Sequence, residues 1–156
     1  MDNLIISAVP ITLIEVVWPQ VEPLLQKAVD HAPNDTTTTI IKAELLKGSS
    51  MLLVVCDGPT IIASCYVEAH TYDTGYKVLY MPVLGGDRMS EWLERMNIIV
   101  NAIAIDMGCE EIRAIATRAG WVKAIKHLGW NRNHEILSRK VEPIVAQNTN
   151  ITELRG

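Results

Sequence analysis

The sequence predicts an α/β fold: a single domain on a mixed, mostly antiparallel sheet of six to seven strands, flanked by about four helices. Three observations carry this expectation. Short apolar runs broken by turn residues recur between Met51 and Met81, a long helical periodicity occupies Arg88 to Met107, and a strand and second helix then close on Gly129-Trp130. At 156 residues the chain is one domain, long enough to bury roughly two-thirds of its unfolded surface. The domain is expected to span 1–142, with 143–156 as a polar C-terminal tail.

Leu4 to Val9 is compatible with a first strand, and Ile11–Trp18 is a second apolar stretch. Pro19 can start a helix at its first turn, with Val21, Leu24, Leu25 and Ala28 at helical spacing behind it. Asp35 is the expected N-cap of a helix over Thr36–Lys47, with Ile40, Ile41 and Leu45 inward and Gly48 as its stop. Met51–Cys56, Thr60–Ala69 and Tyr76–Met81 read as three meandering strands. Asp57-Gly58 marks a hairpin that Pro59 widens, and Thr71–Gly75 is the next loop.

The long helix runs from about Arg88 to Met107, with Asp87 as N-cap and Gly108 past its end. Met89, Trp92, Leu93, Met96, Val100, Ile103 and Met107 keep the spacing of a core stripe, and Glu91 and Arg95 can pair on the solvent face. Beyond Met96 the helix is apolar nearly all round, which predicts burial against a sheet and another helix or subunit. Glu111–Thr117 follows as a strand reached by a helical crossover, so it should run parallel to Tyr76–Met81. Arg118–Leu128 reads as a helix with Trp121, Val122, Ile125 and Leu128 inward. Glu135–Val141 is the expected final strand.

Composition removes several function classes. The net charge of −4 comes without a basic block, so no nucleic-acid partner is expected. Cys56, Cys65 and Cys109 are widely spaced, and no histidine pair has metal-ligand spacing with a carboxylate. Neither disulfides nor a metal site is predicted. The N-terminal residues lack the basic region and apolar core of an export signal, and no apolar run nears the ~18 residues of a membrane span. The chain is expected inside the cell.

The order of strand, Pro82, glycine turn, long helix, strand, and helix ending in Gly129-Trp130 resembles the GNAT N-acetyltransferase superfamily. The likeness covers the chain in element order and Pro82–Trp130 at motif level, and it is greatest to small GNAT-like proteins encoded by tailed bacteriophages. In that family a Gln/Arg-x-x-Gly-x-Gly/Ala turn holds the coenzyme A pyrophosphate, because N–H groups at a helix N-terminus face the anion and glycines let it approach. Laid from Pro82, the pattern puts Gly86 on one family glycine, Arg88 where the next is expected and Ser90 on the Gly/Ala position. Gly85 falls near the leading Gln/Arg. The resemblance thus implies acetyl-CoA as the cofactor, held by Val83, Gly85, Gly86 and Arg88. Arg88 obstructs close backbone approach although its charge can hold a phosphate directly, and Asp87 opposes a pyrophosphate. Family members often carry an Asn, a small residue and a Tyr before the closing Gly-aromatic pair, and that Tyr protonates the departing thiolate. Here those positions read Arg118, Trp121 and Ile125, and isoleucine donates no proton.

Glu68 and His70 share a strand face at i, i+2, with Asp73 in the next loop. Acyl transfer to an amine needs a base, and this pair can serve, although a solvated strand edge would carry the same residues. Tyr72, Tyr76 and Tyr80 surround that loop, and Tyr80 is the candidate to replace the missing acid. Two functions follow. The main expectation is a phage-type GNAT-fold protein with a degenerate acetyl-CoA site, in the host cytoplasm or the virion. It would act through contacts with other virion or assembly proteins, or with itself as an oligomer. The alternative is an acetyl-CoA-dependent N-acetyltransferase acting on an amine.

Overall fold

A computed structural model of the chain describes residues 3–32, 34–115 and 119–143. Its order is β1 (Leu4–Ala8), α1 (Ile14–Val29), α2 (Thr38–Lys47), β2 (Ser50–Asp57), β3 (Thr60–Thr71), β4 (Lys77–Gly86), α3 (Met89–Asp106), β5 (Glu111–Ala114) and α4 (Ala119–Ile125). One-turn 3₁₀ segments precede α1 and follow α4. The five strands pair in chain order, antiparallel from β1 to β4 and parallel between β4 and β5. The fold class is as expected, but the described residues form five strands rather than six or seven. Glu135–Val141 forms no strand among the described residues, and the tail from 144 onward lies outside them.

Both faces of the sheet are covered, which is why β2 reads as a continuous apolar run. Leu52 and Val54 of β2, Tyr66 of β3 and Val83 of β4 pack under α1 and α2. Leu53, Val55, Cys65, Val67 and Leu79 face α3, which answers with Trp92, Met96, Val100 and Ala104. Trp92, Met96 and Val100 belong to the expected helical stripe, and Ala104 joins them. The apolar wrap predicted beyond Met96 is not covered in full, since Ile98 and Ile105 stand 63% and 71% exposed.

Two helix starts differ from expectation. α1 begins at Ile14, not Pro19, so Pro19 and Pro23 lie inside it. Both prolines face solvent, while Ile14, Trp18, Val21 and Leu25 face the core. Burial of that stripe outweighs the lost hydrogen bonds, because water can reach the carbonyls left open. α2 is capped by Thr37, whose Oγ1 accepts from the Ile40 N–H at 3.2 Å, rather than by Asp35.

The larger difference is in β4, which does not end at Met81. Tyr66 pairs with Val83 and Glu68 with Tyr80, so Val67 alone faces both Met81 and Pro82. That bulge accommodates the proline, which has no N–H for the ladder, and β4 resumes as far as Gly86. β5 pairs with β4 only from Val78–Glu111 to Met81–Ala114. Past this point β4 stays with β3 while β5 leaves it. The two parallel strands therefore part where the bulge sits.

Candidate functional site where β4 and β5 part

A cavity of about 290 Å³ occupies this parting. Met81–Leu84 of β4 and Ala114 and Ile115 beside them form one end with Met96 and Asn97 of α3. Ile125, Leu128 and Trp130 complete that end. The other end lies under α1 and α2, where His31, Asp35, Glu44, Tyr66 and Glu68 supply its polar groups. Among the described residues, no lysine or arginine lines it.

Glu68 is the one predicted catalytic residue on the cavity wall. Tyr66, two residues earlier on the same strand face, donates from Oη to Glu68 Oε2 at 2.9 Å. Burial, with the neighbouring carboxylate adding to it, pushes the Tyr66 phenol up to about 12. It therefore stays a donor and orients Glu68 at every physiological pH.

His70 and Tyr80 sit elsewhere. Tyr80 is directly opposite Glu68 on β4, yet its hydroxyl is hydrogen-bonded to that of Tyr72. Arg113 Nη1 of β5 donates to both hydroxyls, at 3.0 Å to Tyr72 and 3.3 Å to Tyr80. Its Nε is bonded to Glu111, which also accepts from Tyr76 Oη at 2.8 Å. Arg113 and Tyr76 together hold the Glu111 carboxyl below its usual range. His70 packs edge-on against the Tyr72 ring, centroids 4.5 Å apart. Neither His70 nor Tyr80 lines the cavity, so the expected trio is split between a carboxylate on the wall and a clasp beside it.

The expected phosphate turn is a correction too. Gly85 and Gly86 are strand residues paired with Ser64 and Ala63, and only Asp87 and Arg88 link β4 to α3. The glycines are needed for packing. A Cβ on Gly85 would lie 2.1 Å from the Leu24 carbonyl oxygen, and one on Gly86 would lie 2.4 Å from Ala63. Val83 is buried in the core beneath α1. Arg88 caps α3 in the left-handed region, φ 58°, and its guanidinium is held by Asp57 at 2.6 Å and by Glu91 at 2.7 and 3.0 Å. At this short link the Arg88 cation is shared between two carboxylates.

Solved acetyltransferases are similar to the chain in overall fold. A predicted acetyltransferase from Clostridium acetobutylicum, solved with acetyl-CoA, is 12% identical, with 88% of this chain and 96% of that one covered at a TM-score of 0.65. Glucosamine-6-phosphate N-acetyltransferase from Arabidopsis thaliana is 12% identical over 90% of this chain and all of its own, TM-score 0.62. The fold is GNAT-like. A transcriptional regulator from Bacillus halodurans C-125, 16% identical over 89% of this chain and TM-score 0.65, shares it as well, so the scaffold alone does not set a role. No family sequence profile matches the chain, and no curated protein does.

Within this GNAT-like domain, Ile125 lines the cavity at the position implied for the acid, whereas Arg118 lies outside the described residues. Three wall or clasp residues escaped the sequence reading. Tyr66 follows from the period of two that picked out Glu68. Asn97, whose Oδ1 accepts from Trp130 Nε1 at 2.8 Å, is a polar residue within an apolar helical stretch, which was a usable signal. Arg113 had none for its part in the clasp, since its tyrosine partners are 33 and 41 residues away. Among the described residues no cluster of three or more His, Cys, Asp or Glu could hold a metal, and no helix is long and apolar enough to cross a membrane.

Proposed function

We propose that the chain transfers an acyl group from an acyl thioester, acetyl-CoA by fold analogy, to an amine. The observation that carries this reading is the continuous cavity from the parting of β4 and β5 to Glu68. The thioester supplies an activated acyl carbon when bound. Met81–Leu84, Ala114 and Asn97 would flank its pantetheine arm, while Asp35, Glu44 and Glu68 make the other end attractive to an ammonium group. Glu68 takes the proton from that ammonium. The freed nitrogen then forms the C–N bond to the acyl carbon, the C–S bond breaks with its electron pair leaving on sulfur, and the nitrogen's second proton passes through water to that thiolate. A thiol with a pKa of roughly 8.5 is a workable leaving group without a protein acid, so Ile125 slows this step but does not forbid it.

Binding tests the reading directly. Acetyl-CoA should raise thermal stability, by about 2.7 kcal/mol at a hundredfold excess over Kd. Acetyl-pantetheine should do nearly as well, because among the described residues no lysine or arginine lines the cavity to reward the diphosphate. If neither ligand shifts the transition at millimolar concentration, the enzyme reading fails.

A second reading rests on the two-residue Asp87–Arg88 link, where the Arg88 cation is shared between two carboxylates. Under it the scaffold acts through protein contacts, as a virion or assembly component, and the chain should copurify with assembled particles.

A further inference from the structure

The end of the cavity under α1 and α2 has a composition that selects among amines. Val29, in the last turn of α1, and Ile40 and Ile41, in the first turn of α2, give it an aliphatic wall. Val29 and Ile41 are buried and belong to the core beneath. Ile40 differs, because it lines the cavity and yet stands 53% exposed. An aliphatic side chain left half in water at the lip of a cavity gains from an apolar ligand that covers it.

Charge sits beside this apolar lip. Ile40 and Glu44 are four residues apart on α2, so they share the helix face that borders the cavity. Lys47 Nζ, 3.0 Å from Glu44, offsets part of that charge. Among the described residues no lysine or arginine pairs with Asp35 or Glu68. The electrostatics therefore favour a cation, and the surface next to it favours hydrocarbon.

Side-chain donors for hydroxyl groups are few at this end. Tyr66 already donates to Glu68 at 2.9 Å, and Thr36 Oγ1 donates to the Thr37 carbonyl at 3.4 Å. Among the described residues the one amide side chain on the wall, Asn97, belongs to the other end and is bonded to Trp130. A polyhydroxylated acceptor would carry oxygen lone pairs into this space without donors to meet them, which opposes its binding.

We propose that the acceptor is a primary amine carried on a short aliphatic chain or a single ring, not an amino sugar. The inference rests on the acyl-transfer reading above and adds the acceptor's class to it. The ammonium lies at Glu68, drawn in by Asp35 and Glu44, and the apolar body covers Ile40 beside Val29 and Ile41. A cavity of about 290 Å³ is at the small end of ligand sites, which limits the body to this size. Ile40 is then a specificity-determining residue.

The test uses the full chain with acetyl-CoA as donor and hexylamine, ethanolamine or glucosamine as acceptor. Hexylamine should exceed each of the others about tenfold or more in kcat/KM. Ile40→Asn, at a half-exposed position, should lower the hexylamine-to-ethanolamine ratio of kcat/KM about tenfold while the thermal transition is retained. Calorimetry with hexylamine alone separates the two readings. Hexylamine binding that Ile40→Asn weakens, in a chain that transfers no acetyl group, keeps the amine site and overturns the transfer reading. Transfer to glucosamine as fast as to hexylamine keeps the transfer reading and overturns the proposal. So does a hexylamine-to-ethanolamine ratio that Ile40→Asn leaves unchanged. Absence of hexylamine binding at millimolar concentration overturns the proposal whatever the transfer assay shows.

Discussion

The Tyr66 hydroxyl donates to Glu68 Oε2 across 2.9 Å, joining a buried phenol to a carboxylate on the cavity wall. The protonated phenol is favoured in the fold, where it titrates at about 12 rather than its ordinary 10. Its contribution to stability is therefore complete below pH 10 and is lost as pH rises from 10 towards 12. Urea midpoints across that range should fall for the native chain, and Tyr66→Phe should flatten this alkaline limb. At neutral pH the same change should cost about 1 kcal/mol.

Glu68→Gln keeps the shape of the wall and removes the base. Acyl transfer should drop by about 100-fold or more, with stability within ~0.5 kcal/mol of the native chain. An unchanged rate in the amine assay would remove Glu68 from the mechanism.

Gly85 is where α1 presses on β4. Gly85→Ala puts a methyl group 2.1 Å from a backbone oxygen, and backbone cannot swing aside as a side-chain tip does. The expected loss is about 1–3 kcal/mol, read as a lower denaturation midpoint with an unchanged m-value. A neutral effect would mean that α1 sits further from the sheet than its contact with Leu24 indicates.

Arg88→Gly separates a structural arginine from a phosphate ligand. Glycine relieves the left-handed backbone, while the links to Asp57 and Glu91 are lost. These effects oppose one another, and exposed ion pairs contribute little. Affinity for acetyl-CoA should stay within roughly twofold by calorimetry, because the guanidinium is already held by two carboxylates. A tenfold loss would restore the phosphate role that the resemblance implied.

Arg113→Met removes the clasp one rung before the strands part, and with it the donors to Tyr72 and Tyr80. The slot should then be held less firmly. A several-fold rise in KM for the acyl donor, with kcat within about twofold, is the expected split. Loss of kcat alone would instead place Arg113 or Tyr80 at the reacting atoms.

What could be read in advance was whatever local periodicity decides. The α3 stripe of Trp92, Met96 and Val100 and the hairpin around Gly58 needed no knowledge of their partners. Pro19 misled because its missing N–H is a local cost, whereas the burial of Ile14 and Trp18 that overrides it depends on the sheet beneath. Pro82 misled in the same way, since a bulge opposite Val67 is a property of two strands. Glu135–Val141 has the residues of a strand, but a strand also needs an edge to pair with. In the site, Glu68 followed from alternation along β3. The separation of Tyr80 from it depends on Arg113, which only the parallel register of β4 and β5 brings near.

Trp130 gives the cavity an optical reporter. Its indole lines the wall and donates to Asn97, itself a wall residue, while Trp92 is buried in the core and Trp18 donates to Glu22 on the surface of α1. A molecule entering between β4 and β5 changes the polarity around Trp130 and competes for its hydrogen bond. Tryptophan emission should shift on filling of the slot, and Trp130→Phe should diminish that shift.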